Sequence, residues 1–504
     1  MHDYGLLSII PPLLTIIVAI LSRNVIMSLA LGIMSGSLII SGFHPFDALL
    51  NAVENQLLKE VSNGTNAQVI LTILCIGGFV KLLEMSGGAR AFARRMMAIV
   101  STRSKAQLLA WLSGLGIFFT DSGNSLIIGP LYRSVFDEFK LCREKLAYIL
   151  DTTSAPISIL IPFIGWGAYI MSLIERSYAE VGLTENAFSV LVNVIPYQFY
   201  AFLALLTVPI VIYTGKDYGP MKNIQQQYLA DLKSKGDKST PTPPRSETIH
   251  TDDRLSIFLY PLGVMFLLIG GLITWHAMHE GITGTHIRST LVIAYLAASL
   301  TCAEMMRRYQ SKSYAESLIV FVAGAEKLVY ISIVLVLAWS LSSVTSDLRT
   351  ADYFASIISG TVAPAYFPVV VFVLGAIISL STGSSYGTFA ILMAIAIPVG
   401  FELGASMYLT IAAVLSGGLF GDHVSPISDT TVLASVGADC NHINHVTTQG
   451  AYAGLTALVT IFAYLLAGIH ETPYVLFIAI IALVGSMPLA MRYFGSEVVP
   501  LAKR

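Results

Sequence analysis

The chain of 504 residues is 55% hydrophobic and only 12% charged, which is about half the charged fraction of an ordinary soluble protein. Its formal net charge is −2, and it has no basic stripe of the kind that binds nucleic acid, so nucleic acid is excluded as a partner. The four cysteines lie far apart and show neither metal-ligand nor redox spacing, and we expect no cofactor. These properties favour a single membrane domain over several soluble domains.

Apolar runs recur along the chain at about the length of 20 residues that a helix needs to cross a bilayer. They predict an all-α polytopic membrane protein with about eleven transmembrane helices. The predicted spans are 5–22, 25–41, 69–85, 146–175, 190–213, 255–275, 289–304, 316–344, 408–437, 450–468 and 473–491. Residues 1–4 lack the basic region of a signal peptide, so we interpret the first span as a retained helix. No organellar targeting segment is evident, and the bacterial inner membrane is the expected location.

Two further apolar stretches, near 107–136 and 367–400, are interrupted in the middle by polar residues and glycine. We predict that each stretch forms a re-entrant hairpin. The loop charges support this for the first stretch, because it is flanked by the Lys- and Arg-rich segments 89–105 and 131–145. Such segments stay on the cytoplasmic side of the membrane. The chain between them must therefore return to the side from which it entered.

The sequence divides into an N-terminal membrane half, 1–213, and a C-terminal membrane half, 255–504. The joining segment, 214–254, is polar and rich in turn-forming residues, and it predicts a flexible cytoplasmic linker. In each half a hairpin is followed by a span that contains a Pro-Ile-Ser triplet, at 156–158 and at 426–428. The first hairpin is expected to open from the cytoplasm and the second from outside. The halves then form two inverted repeats, which is typical of secondary transporters.

Four aspartates lie in otherwise apolar spans, accompanied by many hydroxyl side chains. A carboxylate at this depth is costly and usually faces a cavity or a partner, and carboxylate and hydroxyl oxygens suit an alkali cation. The candidate residues for binding an ion or a substrate are Asp121, Ser122, Asn124, Asp151, Thr152, Thr153, Thr382, Ser384, Ser385, Asp422, His423, Ser425, Ser428, Asp429 and Thr430. The candidate Na⁺ ligands among them are Asp121, Asp422 and Asp429.

Several of these side chains also have a purely structural interpretation. Serine and threonine in membrane helices often bond only to the backbone, and Asp151 and Asp429 can equally serve as helix caps. His423 either relays a proton, because imidazole titrates near neutral pH, or stays neutral in a hydrogen-bond network. Glu326 and Lys327 lie within the predicted span 316–344 but just before its most apolar part, and we expect them at the membrane interface.

Five motifs resemble the NhaC family of sodium/proton antiporters, and the resemblance runs from about residue 65 to 470. The motifs are FFTDSGNSLIIGPLYR (118–133), REKLAYILDTTSAPIS (143–158), LAWSLSSVTSDL (337–348), STGSSYGTFAIL (381–392) and GDHVSPISDTTVLAS (421–435). The resemblance implies an ion-transporter fold of two inverted repeats with paired hairpins, which exchanges Na⁺ for H⁺. One departure concerns Thr120-Asp121-Ser122, where family members usually have two acidic residues and an aromatic. One titratable group is therefore missing from this motif, which puts proton coupling in question.

The first hypothesis is a secondary active Na⁺/H⁺ antiporter that works by alternating access. Relatives of this type include carriers of amino acids or organic acids, and the alternative is a carrier of a small amino acid or organic acid coupled to Na⁺ or H⁺. An enzyme is disfavoured, because the sequence has no P-loop, no HExxH and no Gly-x-Ser-x-Gly motif. The expected partners are the lipid bilayer, Na⁺, H⁺ and, in the alternative, a small organic solute. The oligomeric state is left open, with a homodimer as one option.

A single cysteine introduced at position 140 tests the predicted topology in a background without the native cysteines. Segment 131–145 carries four basic residues, which resist transfer across the membrane. We therefore expect a membrane-impermeant thiol reagent to label position 140 in inside-out vesicles but not in intact cells. Labelling in intact cells would place the segment outside and remove the first hairpin.

Overall fold

The computed structural model describes residues 4–234, 254–279, 281–358 and 363–497. Within these ranges the chain is almost entirely helical. A bilayer offers no water to bond exposed backbone groups, so long apolar segments satisfy their hydrogen bonds internally as helices. The predicted all-α membrane fold is confirmed.

The helices are numbered in chain order. Those of the first half are α1 Ile10–Ser22, α2 Val25–Ile40, α3 Pro45–Leu50, α4 Lys59–Val61, α5 Gly64–Met85, α6 Gly88–Met97, α7 Arg103–Gly116, α8 Asp121–Glu138, α9 Arg143–Thr152, α10 Ala155–Ser158, α11 Gly165–Glu180, α12 Ala187–Val194, α13 Phe199–Thr214 and α14 Gly219–Ser234. Those of the second half are α15 Leu255–His279, α16 Gly284–Gln310, α17 Tyr314–Lys327, α18 Val329–Asp347, α19 Thr350–Ile358, α20 Phe367–Thr382, α21 Ser385–Glu402, α22 Met407–His423, α23 Asp429–Ala438, α24 His442–His470 and α25 Val475–Phe494. The remaining elements are 3₁₀ helices at Gly5–Ile9, Ile195–Tyr197 and Pro364–Tyr366, a π-helix at Asn51–Leu58, and the strands β1 Lys216–Tyr218 and β2 Gly495–Glu497.

Nine helical segments in the described residues are long and apolar enough to cross a membrane. They are Gly5–Ser22, Gly64–Met85, Leu255–His279, Gly284–Gln310, Tyr314–Asp347, Pro364–Thr382, Ser385–Glu402, His442–His470 and Val475–Phe494. A tenth span results if Ala187–Tyr197 and Phe199–Thr214, which meet at an angle of 46°, are counted together. Seven of the nine segments and this bent pair correspond to predicted spans. The other two segments are the arms of the second hairpin.

The remaining three predicted spans differ from the structure. The span 25–41 is α2, an apolar helix of only 16 residues. The span 146–175 is broken into α9, α10 and α11, and the span 408–437 is broken into α22 and α23. Proline lies at both breaks, within the first turn of α10 and at position 426 between α22 and α23. Proline cannot supply a helical N–H and clashes with the preceding turn, which favours a break at these two positions, whereas α8, α13, α15, α21 and α25 continue through an internal proline.

Both predicted hairpins are present as helix pairs joined by short turns. Helices α7 and α8 are joined by residues 117–120, and Thr120 caps α8 by accepting a hydrogen bond from the Gly123 N–H at 3.0 Å. Helices α20 and α21 meet at Gly383, which has a φ of +64°. A Cβ atom there would lie 2.8 Å from the carbonyl carbon of Ile427, so only glycine meets both requirements. The second hairpin tip is therefore pressed against the break between α22 and α23.

The hairpins and broken spans of the two halves interlock. Helix α8 of the first hairpin packs against α23 of the second broken span, and α20 packs along α22. The α8–α23 crossing has Gly129 facing Gly437, and a Cβ atom on Gly129 would collide with the backbone of Gly437. Such small residues let membrane helices approach closely. This packing brings the two hairpin tips together beside the second break.

The first part of segment 214–254 is folded, which corrects the prediction of a flexible linker for these residues. Strand β1 pairs antiparallel with β2, and α14 packs against α24. Asp217 of β1 forms a buried ion pair with Lys145 of α9, with Nζ and Oδ2 2.5 Å apart. It also accepts a hydrogen bond from the Tyr452 hydroxyl at 2.9 Å. Residues 235–253 of this segment lie outside the described residues, and the division into two halves stays a prediction.

Replacing Lys145 with methionine tests this anchor. The change leaves the Asp217 carboxylate buried without its counter-charge, which should destabilise the protein by about 3–5 kcal/mol. We expect a lower thermal unfolding midpoint in detergent, and partial recovery when Asp217→Leu is added. Lys233→Met, on the exposed last turn of α14, is the control and should leave the midpoint unchanged. A single variant Lys145→Met as stable as the wild type would contradict the anchoring role.

Candidate ion and substrate site

The two hairpin tips and the break between α22 and α23 surround a cavity of about 540 Å³. Side chains from α5, α17 and the start of α11 complete its wall. Eight of the fifteen predicted binding residues line this cavity: Asp121, Ser122, Thr382, Ser384, Ser385, Asp422, Asp429 and Thr430. The structure thus brings together residues that are far apart in the sequence.

Asp422, in the last turn of α22, has the most enclosed carboxylate of the cavity, with 4% of the residue exposed. Ser385, in the first turn of α21, donates its hydroxyl to Oδ2 at 2.7 Å. The second oxygen, Oδ1, is buried and has no hydrogen-bond partner in the described part of the chain. A buried charged oxygen without a partner is costly. The site therefore favours the binding of a proton or a small cation at Asp422.

Asp121 and Asp429 occupy equivalent positions at the starts of α8 and α23. The N–H of Ser122 donates to Asp121 Oδ1 at 2.6 Å, and the N–H of Thr430 donates to Asp429 Oδ1 at 2.9 Å. Helix N-termini favour negative charge, so both positions suit a carboxylate beside the cavity. The second oxygen of Asp121 accepts a hydrogen bond from Trp166 Nε1 at 3.0 Å. Asp429 thus lies in the first turn of α23 and also lines the cavity, so its structural and its binding interpretations are compatible.

Besides the predicted aspartates, Glu84 of α5 supplies a further carboxylate, which the sequence analysis did not single out. It lines the cavity, and its Oε1 accepts a hydrogen bond from the Thr120 hydroxyl at 3.0 Å. Its other oxygen lies 3.3 Å from Lys81 Nζ. The NhaC-like motif lacks an acidic residue beside Asp121, and Glu84 places a carboxylate next to that motif from another helix. A carboxylate therefore lies beside this motif, supplied by another helix.

Lys81 and Lys327 also line the cavity. The expectation that Lys327 lies at the membrane interface stays a prediction. Helices α17 and α18 form one helical segment of 34 residues, Tyr314–Asp347, and Lys327 lies near its middle, where α17 ends. Its neighbour Glu326 is exposed and is not among the residues that line the cavity. Because Lys81 and Lys327 lie beside the carboxylates, the cavity contains charges of both signs.

A second polar cluster surrounds Asp151, of which only 1% is exposed, at the end of α9. Its Oδ2 accepts hydrogen bonds from Gln449 Nε2 at 2.6 Å and from the Thr431 hydroxyl at 3.1 Å. His445 Nε2 lies 3.6 Å from the same oxygen. Helix α24 therefore supplies two residues, Gln449 and His445, that hold Asp151 from one side. Asp151 does not line the cavity, and its role in ion binding stays a prediction.

His423 belongs to this second cluster although it is adjacent to Asp422 in sequence. Its Nδ1 lies 2.8 Å from the Tyr200 hydroxyl and its Nε2 lies 3.3 Å from the Thr152 hydroxyl. Asp422 faces the cavity, and the next side chain turns toward α9 and α13. This geometry favours the network role of His423 over direct sharing of a proton with Asp422.

Four further predicted residues are buried outside the cavity and form local hydrogen bonds, although Asn124 Oδ1 has no partner among the described residues. They are Asn124, Thr153, Ser425 and Ser428. Asn124 donates to the carbonyls of Gly114 and Thr153 at 3.2 and 2.7 Å, which joins the first hairpin to the end of α9. Ser425 donates to the carbonyl of Leu380 at 2.8 Å, which joins the second break to the second hairpin. These contacts position the site, and a direct binding role for the four residues stays a prediction.

The residues of the site that the sequence analysis did not single out could have been found from their positions in or near predicted spans. Lys81 and Glu84 lie inside the predicted span 69–85, and a charge inside a span indicates function by the same argument that selected the aspartates. His445 and Gln449 are four residues apart and share one helix face. They precede the predicted span 450–468, whereas α24 begins at His442. A predicted span that began at His442 would have included both residues, and they would then have been considered together with the membrane-embedded aspartates.

Two hairpin tips that meet at a broken helix, around a cavity lined by carboxylates and hydroxyls, define a secondary active transporter. The chain belongs to the Na⁺/H⁺ antiporter family, whose family model matches residues 160–469. This family consists of transporters, not enzymes. The protein is therefore a multi-pass membrane transporter.

Individual relatives agree with this assignment. An uncharacterized protein of Haemophilus influenzae is 33% identical over 479 residues, which cover 92% of this chain and 90% of that protein. The Na⁺/H⁺ antiporter NhaC of Alkalihalophilus pseudofirmus is 32% identical over 140 residues, 27% of this chain and 28% of that protein. The resemblance to NhaC is thus confirmed. The crystal structure of the YdaH transporter of Alcanivorax borkumensis has a similar fold, with a TM-score of 0.63, 14% identity, and coverage of 90% of this chain and 99% of that chain.

The buried cluster predicts a stability effect of Gln449→Leu. The substitution removes the amide that donates to Asp151 and also to the backbone carbonyl of His423. Leaving buried acceptors unsatisfied costs about 1–3 kcal/mol, so the thermal unfolding midpoint in detergent should fall. Thr447→Ala, on the exposed face of the same helix, is the control. Equal midpoints for the two variants would show that Gln449 does not hold the cluster together.

Proposed function

We propose that this protein is a Na⁺/H⁺ antiporter of the bacterial inner membrane that works by alternating access. The observation that carries the proposal is the Asp422 carboxylate. One of its oxygens accepts a hydrogen bond from Ser385, the other is buried without a hydrogen-bond partner among the described residues, and the carboxylate lies where a hairpin tip meets a helix break. This position suits an ion that must be bound and then released.

Exchange follows from the chemistry of a carboxylate. A carboxylate oxygen can hold a proton or coordinate Na⁺, and either cation neutralises the buried charge. The same oxygen cannot hold both at once, so the two cations compete. Moving the site through the membrane with an uncompensated carboxylate is costly. The empty site therefore moves rarely, which favours exchange of one cation for the other over a leak.

The proposed Na⁺ site combines oxygen ligands from the second hairpin and the second broken span. Hydroxyls of Thr382, Ser384 and Ser385 line the cavity with Asp422 and Asp429. Hard oxygen ligands of this kind suit an alkali cation. Carbonyl groups freed by the break at 424–428 need partners within the membrane, and a cation can serve as one. Glu84 adds a second group that can take up a proton.

Asp422→Asn tests the antiport proposal. The amide keeps the side-chain shape but can neither take up the proton nor balance the charge of Na⁺. We expect reconstituted Asp422→Asn to give no internal pH change on addition of Na⁺ beyond that of protein-free liposomes. Asp47→Asn, on the exposed surface of α3, is the matched control and should exchange like the wild type. Normal exchange by well-folded Asp422→Asn would refute the proposal.

A second candidate is a carrier that couples Na⁺ or H⁺ to a small organic solute. The observation that favours it is the cavity volume of about 540 Å³. Sites for small molecules usually measure roughly 300–1,000 Å³, whereas a dehydrated cation needs room for only a single ion. Na⁺-gradient-driven uptake of a labelled solute into proteoliposomes separates this function from simple exchange.

A further inference from the structure

The charges of the cavity do not fit a site for cations alone. Lys81 and Lys327 line the same cavity as Glu84 and the three aspartates. Lys81 is paired with Glu84, whereas no ion pair or hydrogen bond involves Lys327 within the residues that the structure describes. A free ammonium group repels Na⁺. Lys327 therefore needs a different explanation from the carboxylates.

Lys327 lies in a part of the chain where a charge without a partner is costly. It lies near the middle of a helical segment of 34 residues that is apolar enough to cross the membrane. A lysine at this depth is costly unless it faces a cavity or a partner of opposite charge. Lys327 faces the cavity and is exposed there. An anionic group bound in the cavity would give Lys327 the ion pair that it lacks among the described residues.

Close helix packing holds the two lysines in place. Helices α5 and α17 cross at Gly77 and Gly324, and a Cβ atom on Gly77 would lie 2.7 Å from the carbonyl oxygen of Gly324. Lys81 follows Gly77 by about one helical turn, and Lys327 follows Gly324 by about one turn. Both lysines therefore project from a tightly packed crossing rather than from flexible ends.

The tip of the first hairpin and the start of α23 give the same cavity an acidic and aromatic wall. Asp121 and Asp429 lie there at two helix starts. The rings of Trp166 and Tyr386, with centroids 4.6 Å apart, lie beside Asp121, to which Trp166 also donates its hydrogen bond. Carboxylates and aromatic faces both attract an ammonium group.

We propose that the cavity binds a small amino acid, with its carboxylate at Lys327 and its ammonium group at the wall of Asp121 and Asp429. This inference rests on the second candidate function, a carrier coupled to a cation at Asp422. An amino acid satisfies charges of both signs at once. An inorganic anion would satisfy only Lys327 and would be repelled by the carboxylates.

The first test uses the wild-type protein and needs no variant. Purified protein is heated in Na⁺-containing detergent buffer with each of the standard L-amino acids, and the unfolding midpoint is measured. The most stabilising amino acid is then compared with its amide, which lacks the carboxylate, and with its deaminated acid, which lacks the ammonium group. We expect each analogue to bind at least about tenfold more weakly, because each leaves one charged group without its partner.

The second test assigns the carboxylate to Lys327. Loss of a hydrogen bond to a charged group should weaken binding by about tenfold to a hundredfold in Lys327→Met. Lys327→Arg keeps the charge and should retain most of the affinity. Lys233→Met changes an exposed lysine outside the cavity and should bind like the wild type. If Lys327→Met does not fold, the analogue series on the wild type still decides whether a carboxylate is recognised.

The outcomes separate this inference from the antiport proposal. Normal Na⁺/H⁺ exchange without binding of any amino acid would overturn the inference and leave the antiporter standing. Equal binding by the wild type and Lys327→Met would overturn the role of Lys327. Binding that depends on the carboxylate and on Lys327, together with Na⁺-driven uptake but no exchange in the absence of the amino acid, would support the inference and reject simple antiport.

Discussion

The structure depends on one constraint, which is that a carboxylate inside the membrane must always have something to neutralise or bind it. Asp422 is held on one side by Ser385, and its other oxygen has no partner among the described residues. Hydrogen bonds to the protein are thus insufficient for this group. A mobile cation in the cavity can neutralise it, which makes Asp422 suited to transport.

Much of the surrounding fold can be understood as the means of bringing oxygen ligands to this carboxylate. Proline prevents α22 from continuing into α23 and exposes backbone groups at the break. Gly383 lets the second hairpin tip touch that break, while the α8–α23 crossing brings the first tip alongside. Asp151, with Gln449 and His445, forms a separate cluster outside the cavity, and its own Oδ1 is also buried without a hydrogen-bond partner among the described residues.

The sequence was most informative where physical rules act locally. Span length, loop charge and interrupted apolar runs predicted the membrane fold and both hairpins, and the cost of buried charge selected Asp121, Asp422 and Asp429. It was less informative where residues meet through tertiary packing. Glu84 comes to lie beside the motif of Asp121 from a helix more than 30 residues earlier, and no local pattern shows this. The ordered start of segment 214–254 likewise depends on tertiary contacts, among them the ion pair between Asp217 and Lys145 and the pairing of β1 with β2, which polar composition alone cannot indicate.

The central claim is that Na⁺ and H⁺ compete for carboxylates in the cavity. The most direct measurement is the dissociation constant of radioactive Na⁺ from the purified protein as a function of pH. If one proton excludes one Na⁺, the apparent Kd should rise by about tenfold for each unit of falling pH on the acidic side of the titration. A dissociation constant that is independent of pH, in protein that still binds Na⁺, would contradict the claim.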